Sequence, residues 1–346
     1  MGVDIGTASV KAVEVGKRGE VFELKNYGIL ETSKYLVQSN QAIQTSSLKI
    51  SEQEGVNLLK SLIREMNPKT RLAIASLPLF TGFTTVIELP VLSRAETDRA
   101  VMFQARQYIP IPIDRVAVEW YPVERFETPR GQQYQRILLV GIPNDIVGRY
   151  KSIFKEAGLK LVSLEIESFA LLRAVEKFLT DKATIVVDIG AQSTDMMVVE
   201  NKSVKLLDQT DYSGVYITQA LSKSLDISMV RAEDLKRRKG IGDVGPGAEL
   251  STLLLPFLDV IIQETRHTKD TFERKYGSVV EHLMLVGGGA NLGGLDDYFA
   301  RQLGLTLAHQ SPLESLSYPT EIEPAIRQLN NVFPTALGLA KKYFAS

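Results

Sequence analysis

The sequence predicts a mixed α/β fold in which two strand-rich halves repeat one hairpin motif and a small α+β module is inserted into the first half. Three observations carry this prediction. Val3-Asp4-Ile5-Gly6-Thr7-Ala8-Ser9 recurs as Val187-Asp188-Ile189-Gly190-Ala191-Gln192-Ser193, an offset of 184 residues from Asp4 to Asp188, about half of the 346-residue chain. Short apolar strands alternate with amphipathic helical stretches in both halves. From Phe83 the texture changes to a β-α-β-β-α unit of about 75 residues, after which the earlier pattern resumes.

The elements follow in order. Residues 2–30 read as a meander of Gly-punctuated strands. Ser51 and Glu54 form a capping box ahead of the apolar-periodic NLLKSLIREM, a helix, and Arg71 to Leu77 reads as a buried strand. In the module, the strand FTTVIELP precedes a second capping box, Ser93 with Glu96, and a helix to about Tyr108. Two strands, VAVEWYPV and QRILLVGI, then lead to a helix from Asp145 to Ala157, with Gly158 as its left-handed stop. The strand LKLVSLEIE and the helix ESFALLRAVEKFL bring the chain to a second meander at Thr184. Helices near 214–225 and 229–239, a Gly-rich loop at 240–247 and a long helix near 248–276 come next. The chain closes on the strand HLMLVGG, a helix near 294–303 and a last helix in PTALGLAKKYF.

Composition narrows the chemistry. An apolar fraction of 44% with 23% charged residues is that of an ordinary globular protein. Forty basic against 41 acidic residues leave a net charge of -1, so no global field draws the chain to nucleic acid or anionic lipid. There is no cysteine, which removes disulfides, thiolate zinc sites and cysteine nucleophiles. Three scattered histidines do not make a metal site or a triad. Strand-like sequence from Gly2 argues against a leader, and the most apolar stretch, Leu250 to Ile262, is too short and too polar to span a bilayer. Chemistry is left to carboxylates, lysine, hydroxyls and backbone amides.

The repeated hairpin carries the functional signal. An apolar strand ending in Asp, a tight Gly turn and a hydroxyl residue aim backbone N–H groups at an anion. Two such hairpins facing each other would clamp a polyphosphate, with Asp4 and Asp188 holding a hydrated Mg²⁺ between them. A third element, Gly287-Gly288-Gly289-Ala290-Asn291, follows an apolar strand, and its glycines let backbone lie flat against a ligand. It is no dinucleotide fingerprint, because Leu292 stands where that motif needs glycine, and no P-loop occurs in the chain.

In this order the three motifs resemble those of the actin-like ATPase superfamily, whose duplicated ribonuclease-H-like fold the chain is expected to share. The resemblance implies ATP and Mg²⁺ as cofactors. Gly6, Thr7, Ala8, Ser9 and Lys11 then fall in the first phosphate loop, Gly190, Gln192, Ser193 and Thr194 in the second, and Gly287, Gly288, Gly289 and Asn291 in the adenosine motif. Glu233 and Lys236 match the pair that holds ribose and adenine in bacterial actins, Asp4 and Asp188 the metal-binding aspartates. Glu167 takes the place of the water-positioning acid on a connecting helix, with Asp195 as reserve, and Pro334-Thr335-Ala336-Leu337-Gly338 resembles the second connecting helix.

The insertion narrows the resemblance to two families, the cell-division protein FtsA and the type IV pilus assembly protein PilM. The opening pattern of Gly2, Asp4, Gly6, Lys11, Val13, Glu14 and Val15, with VIELPVLSRAE and ARQYIPIPIDRVAVEWYPV, is similar to PilM. The implied division is 1–82 with 158–180, an inserted subdomain at 83–157, and a second half at 181–346. The implied role is an ATP-binding scaffold with slow or no hydrolysis. It would sit at the cytoplasmic face of the inner membrane and dock the N-terminal cytoplasmic segment of a PilN-like protein. Further implied partners are other platform proteins, the assembly ATPases and a second copy of the chain. Phe83, Val86, Ile87, Phe103, Tyr108 and Ile109 are candidates to line the partner groove. The alternatives are an FtsA-like membrane-associated homologue and a small-molecule kinase. The first wants a C-terminal amphipathic anchor and the second an acceptor-site base, neither evident in this sequence.

Overall fold

The computed structural model describes residues 1–32, 51–241 and 248–344. Most of the Gly-rich loop expected at 240–247 lies outside them.

Two five-stranded sheets repeat one topology. In the first, β1 (Gly2–Ile5), β2 (Ser9–Arg18) and β3 (Val21–Glu31) form an antiparallel meander, helix α1 (Glu52–Met66) follows, and β4 (Leu72–Leu77) pairs parallel to β1. The chain then makes β5 (Phe83–Pro90), α2 (Arg94–Tyr108), β6 (Val116–Glu127), β7 (Gln133–Pro143) and α3 (Asn144–Glu156) before β8 (Lys160–Ile166) closes the sheet in the order β3-β2-β1-β4-β8. Helix α4 (Glu167–Val175) leads to the second sheet, where β9 (Thr184–Ile189), β10 (Thr194–Glu200) and β11 (Ser203–Thr210) repeat the meander. Helices α5 (Gly214–Leu225), α6 (Met229–Lys239) and α7 (Ala248–Tyr276) precede β12 (His282–Val286), α8 (Leu295–Leu303) and the short β13 (Thr306–Leu307). The order β11-β10-β9-β12-β13 is that of the first sheet. Helices α9 (Glu323–Val332) and α10 (Pro334–Lys342) complete the described chain.

Local chemistry explains the element ends. Ser93 and Glu96 make the full reciprocal capping box on α2, and Ser51 accepts from the Glu54 N–H at the start of α1. Gly158, at φ +77°, stops α3. Helix α9 stands where the sequence reading places no element; Pro324 in its first turn, followed by Ile326, Leu329 and Val332 at helical spacing, is its local signal.

Three packing relations bear on the division into units. Strands β5, β7 and β6 form a separate three-stranded sheet whose core joins Ile87, Leu89, Val101, Ala105, Ile109, Ile137 and Leu139. Helix α3, inside the expected 83–157 module, instead packs on α1, with Ile146, Tyr150 and Phe154 in the core of the first half. Helix α10, inside the expected 181–346 unit, returns to the first half and crosses α4 in backbone contact. A Cβ at Gly338 would stand 1.7 Å from the Ala170 carbonyl oxygen, so only glycine fits that crossing.

The module also reaches the second half. Ser203 Oγ donates to the Val123 carbonyl at 3.1 Å, and Lys205, 4% exposed, places Nζ 2.7 Å from Glu124 Oε2. The Arg136 guanidinium lies over the rings of Phe126 and Tyr276, at 4.3 and 4.7 Å. Of the expected groove residues, Ile87 and Ile109 are buried in the module's own core, with Phe83 packed on it. Val86 packs on the first-half core, and Phe103 and Tyr108 are exposed on α2.

Candidate functional site

The two hairpin turns meet at one cavity between the halves. The Gly6 N–H donates to the Ser9 carbonyl at 2.9 Å and the Gly190 N–H to the Ser193 carbonyl at 3.0 Å, the same turn built twice. The N-terminus of α5 fixes the second turn, because Gly214 and Val215 donate their N–H groups to the carbonyls of Gly190 and Ala191. The cavity measures about 520 Å³, within the roughly 300–1,000 Å³ of small-molecule sites. It is lined by Asp4, Gly6, Thr7, Ala8, Ser9, Lys11, Glu167, Asp188, Gly190, Ser193, Asp195, Glu233, Lys236, Gly287, Gly288, Gly289 and Asn291.

Charge is unevenly divided between the hairpins. Lys11 Nζ lies 3.1 Å from Asp4 Oδ2, and Ser76 Oγ donates to Asp4 Oδ1 at 2.7 Å. Burial alone would lower the Lys11 ammonium, but Asp4, with Asp188 and Glu167 behind it, outweighs burial and holds it above the ordinary lysine value. On the other side the register pairs Asp188 with Asp195. Burial, then Asp195 and Asp4, push the Asp188 carboxyl up to about 7, against the pull of Lys11. Glu167 is raised well above the usual glutamate range by burial first and then by Asp195, with which it shares a hydrogen bond. Its Oε1 also accepts from the Leu79 N–H at 3.0 Å, in the turn that leads into the module.

The glycine run has two explanations, divided by position. A Cβ at Gly287 (φ +86°) would meet Asp188 Oδ1 at 2.2 Å, and one at Gly289 would meet Ile189 Cγ2 at 2.4 Å, so both permit close packing on β9. Gly288 has open space beside it. Glu233 and Lys236 pair at 2.7 Å, and Lys236 Nζ also reaches the Gly214 carbonyl and Thr218 Oγ1. Burial lowers the Lys236 ammonium. It would raise Glu233, but Lys236, Thr218 and Arg237 outweigh it and hold that carboxyl low.

Two expected site residues do not line the cavity. Thr194 is fully buried and donates Oγ1 to the Tyr212 carbonyl at 2.7 Å, because strand alternation turns it away when Asp195 faces inward. Gln192 is also outside the lining. The structure adds residues that the sequence did not single out: Ser76, which holds Asp4 from behind, and the lining residues Glu31, Arg237, Gln328 and Asn331. Arg237 Nη1 reaches Glu31 Oε2 at 3.3 Å, joining α6 of one half to β3 of the other. Asn331 accepts from the Gly287 N–H and donates to Asn291 Oδ1. Among the described residues no three His, Asp or Glu side chains converge as a preformed metal cage. The donor set nonetheless suits Mg²⁺, which keeps most of its waters and takes one or two carboxylates beside phosphate.

A sequence profile of the type IV pilus assembly protein PilM matches residues 2–344. The chain belongs to the PilM family. A solved PilM-PilN type IV pilus biogenesis complex superposes with a TM-score of 0.84 at 23% identity, over 99% of this chain and 97% of that one. MreB 5 of Spiroplasma citri, solved bound to AMPPNP, superposes at 0.54 with 14% identity over 99% and 94% of the two chains. These likenesses show the actin-like fold. The cell division protein FtsA of Enterococcus faecalis is 28% identical over 267 residues, 69% of this chain. The match spans 58% of the length of that protein and 57% of its Enterococcus hirae counterpart. No described helix is long and apolar enough to cross a membrane.

Proposed function

We propose that the chain is an ATP-binding scaffold of the type IV pilus inner-membrane assembly platform. It would bind ATP with Mg²⁺ between its hairpins and dock the cytoplasmic N-terminal segment of a PilN-like protein. The observation that carries the proposal is the convergence of both duplicated turns, Lys11, Asp4 and Asp188 on one cavity, within a chain of the PilM family. The turns present backbone amides and Lys11 supplies a cation for phosphate. Asp4 and Asp188 would hold the hydrated Mg²⁺, which neutralises phosphate charge when bound. Glu233 and Lys236, which line the cavity, would take ribose and base, and their mutual pairing would loosen as the nucleotide takes over those contacts.

Hydrolysis in this proposal is slow or absent. Glu167 already hydrogen-bonds with Asp195 and with the Leu79 N–H, which leaves it poorly placed to take a proton from water, and Arg237 of the lining is paired with Glu31 and Glu233. The proposed location is the cytoplasmic face of the inner membrane, reached through the partner. As units we propose the first half with α3 and α10, the β5–β7 module with α2, and the second half from β9 to β13.

Calorimetry with ATP, with and without Mg²⁺, tests the nucleotide half of the proposal, and titration with a synthetic PilN N-terminal peptide tests the docking half. Absence of ATP binding, or turnover near the ordinary enzyme value of about 10 per second, overturns the scaffold. The FtsA-like reading draws on the identity with the division proteins and is distinguished by nucleotide-dependent filaments on lipid.

A further inference from the structure

The duplication gives each residue of the first hairpin a counterpart in the same register of the second, and the counterparts differ where charge is concerned. Asp4 pairs across its hairpin with Lys11, and Asp188 pairs across the other with Asp195, in the same register. On the parallel side, Val3 aligns with Ala75, which puts Ser76 next to Asp4. The same slot beside Asp188 is filled by Val286. One aspartate thus has an ammonium and a hydroxyl for neighbours, the other a carboxyl and an isopropyl group.

Ser76 is 1% exposed, in a strand otherwise made of Leu, Ala and Ile, and its hydroxyl donates to Asp4 Oδ1 at 2.7 Å. A lone hydroxyl in such a strand is costly to bury unless it is bonded, and this one is bonded to a charge. With Lys11 on Oδ2, both oxygens of Asp4 are held, each with a lone pair left over. The carboxylate is fixed in rotation.

We infer that Ser76 is a positioning residue, fixing the Asp4 carboxylate so that it faces the incoming hydrated cation without reorganising. Asp188, with no such donor beside it on β12, is the partner that adjusts when the cation arrives. This rests on the nucleotide reading above and adds to it a residue in direct contact with neither nucleotide nor metal.

The test is a Mg²⁺ titration of ATP binding, followed with a fluorescent ATP analogue, in the wild-type chain and in Ser76→Ala and Ser76→Thr. A hydrogen bond to a charged group has a worth that corresponds to about a tenfold change or more in affinity. In Ser76→Ala the Mg²⁺ concentration at half-saturation should rise about tenfold by that measure, while ATP affinity in EDTA stays at the wild-type value. Ser76→Thr, which keeps the hydroxyl, should restore the Mg²⁺ midpoint. A wild-type midpoint in Ser76→Ala overturns the inference. So does a loss of ATP affinity in EDTA equal to that in Mg²⁺, which would mark Ser76 as structural. A variant that fails to fold is replaced by Ser76→Cys, read by the same comparison. Failure of the wild-type chain to bind ATP in either condition overturns the nucleotide reading itself, and this inference with it.

Discussion

Replacing Lys11 by methionine isolates its charge, because the apolar stem is kept. In the wild-type chain the ammonium lies 3.1 Å from Asp4 Oδ2, with side-chain exposures of only 18% and 9%. Removing it leaves Asp4 as a buried carboxylate supported by Ser76 alone and facing Asp188. Breaking one side of a buried pair costs about 3–5 kcal/mol, and the partial exposure of Lys11 puts this case near about 3. At roughly 2.1 cal/mol/K per residue the corresponding fall in melting temperature is about 4 °C. ATP affinity should fall about 10- to 100-fold, because a charge-assisted phosphate contact goes too. The double variant Lys11→Met/Asp4→Asn separates the two losses. Neutralising Asp4 removes the stranded charge, so the melting temperature should recover while ATP binding stays weak. Calorimetric titration and thermal denaturation of the single and double variants provide the readouts. A single variant that melts and binds ATP like the wild type refutes the assignment of Lys11 as both counter-ion and phosphate contact.

Asp188 gives the chain without nucleotide a pH dependence. Its folded-state pKa of about 7 lies above the ordinary 3.8, so its contribution is fully present below pH 4 and is lost as pH rises through 7. With Asp195, Asp4, Glu167 and Lys11 as its charged neighbours, stability should drop by about 1.3 kcal/mol between pH 6 and 8. Urea melts of wild type and Asp188→Asn check this, and an unchanged slope in the variant counts against it. Gly338→Ala would drive a methyl into the Ala170 carbonyl, and should cost about 3 kcal/mol or more, read by thermal melting. Ser93→Ala removes the cap of α2 at about 1 kcal/mol and should leave ATP affinity unchanged, because the module's helix lines no part of the cavity.

Legibility in the sequence followed the range of the interactions. The hairpins were readable because Asp, Ile and Gly act within a few residues of one another, and the two copies vouch for each other. The capping box at Ser93 and Glu96 was readable for the same reason. Ser76 was not: within RLAIASL it is one small residue in an apolar run, and only the parallel pairing of β4 with β1 brings it to Asp4. Thr194 faces away from the cavity, which a motif match cannot foresee because strand alternation turns neighbouring residues to opposite faces. Glu31 and Arg237, 206 residues apart, meet only through the closure of the cleft, and Arg237 reads locally as part of a basic run. The return of α10 to the first half was legible only through the resemblance of Pro334-Thr335-Ala336-Leu337-Gly338 to a connecting helix, and in the glycines Gly2 and Gly338 where its backbone passes closely.

The module's attachment to both halves has a mechanical meaning. The halves are joined by the two chain passages at the α4–α10 crossing, where the chain leaves α4 for β9 and enters α10 from α9, bridged across the cavity mouth by Glu31 and Arg237, and tied again through the module by Lys205 with Glu124 and Ser203 with Val123. In the language of linkages this is a closed chain of three joints around two rigid bodies. A closed chain has no single free hinge: a rotation at the helix crossing must be taken up at the mouth, at the module, or at both. The ion pair at the mouth is solvent-exposed and gives way at little cost, whereas the joint at Lys205 is buried and stiff. A rotation that opens the cleft is therefore taken up at the exposed mouth before it is taken up at the buried module joint.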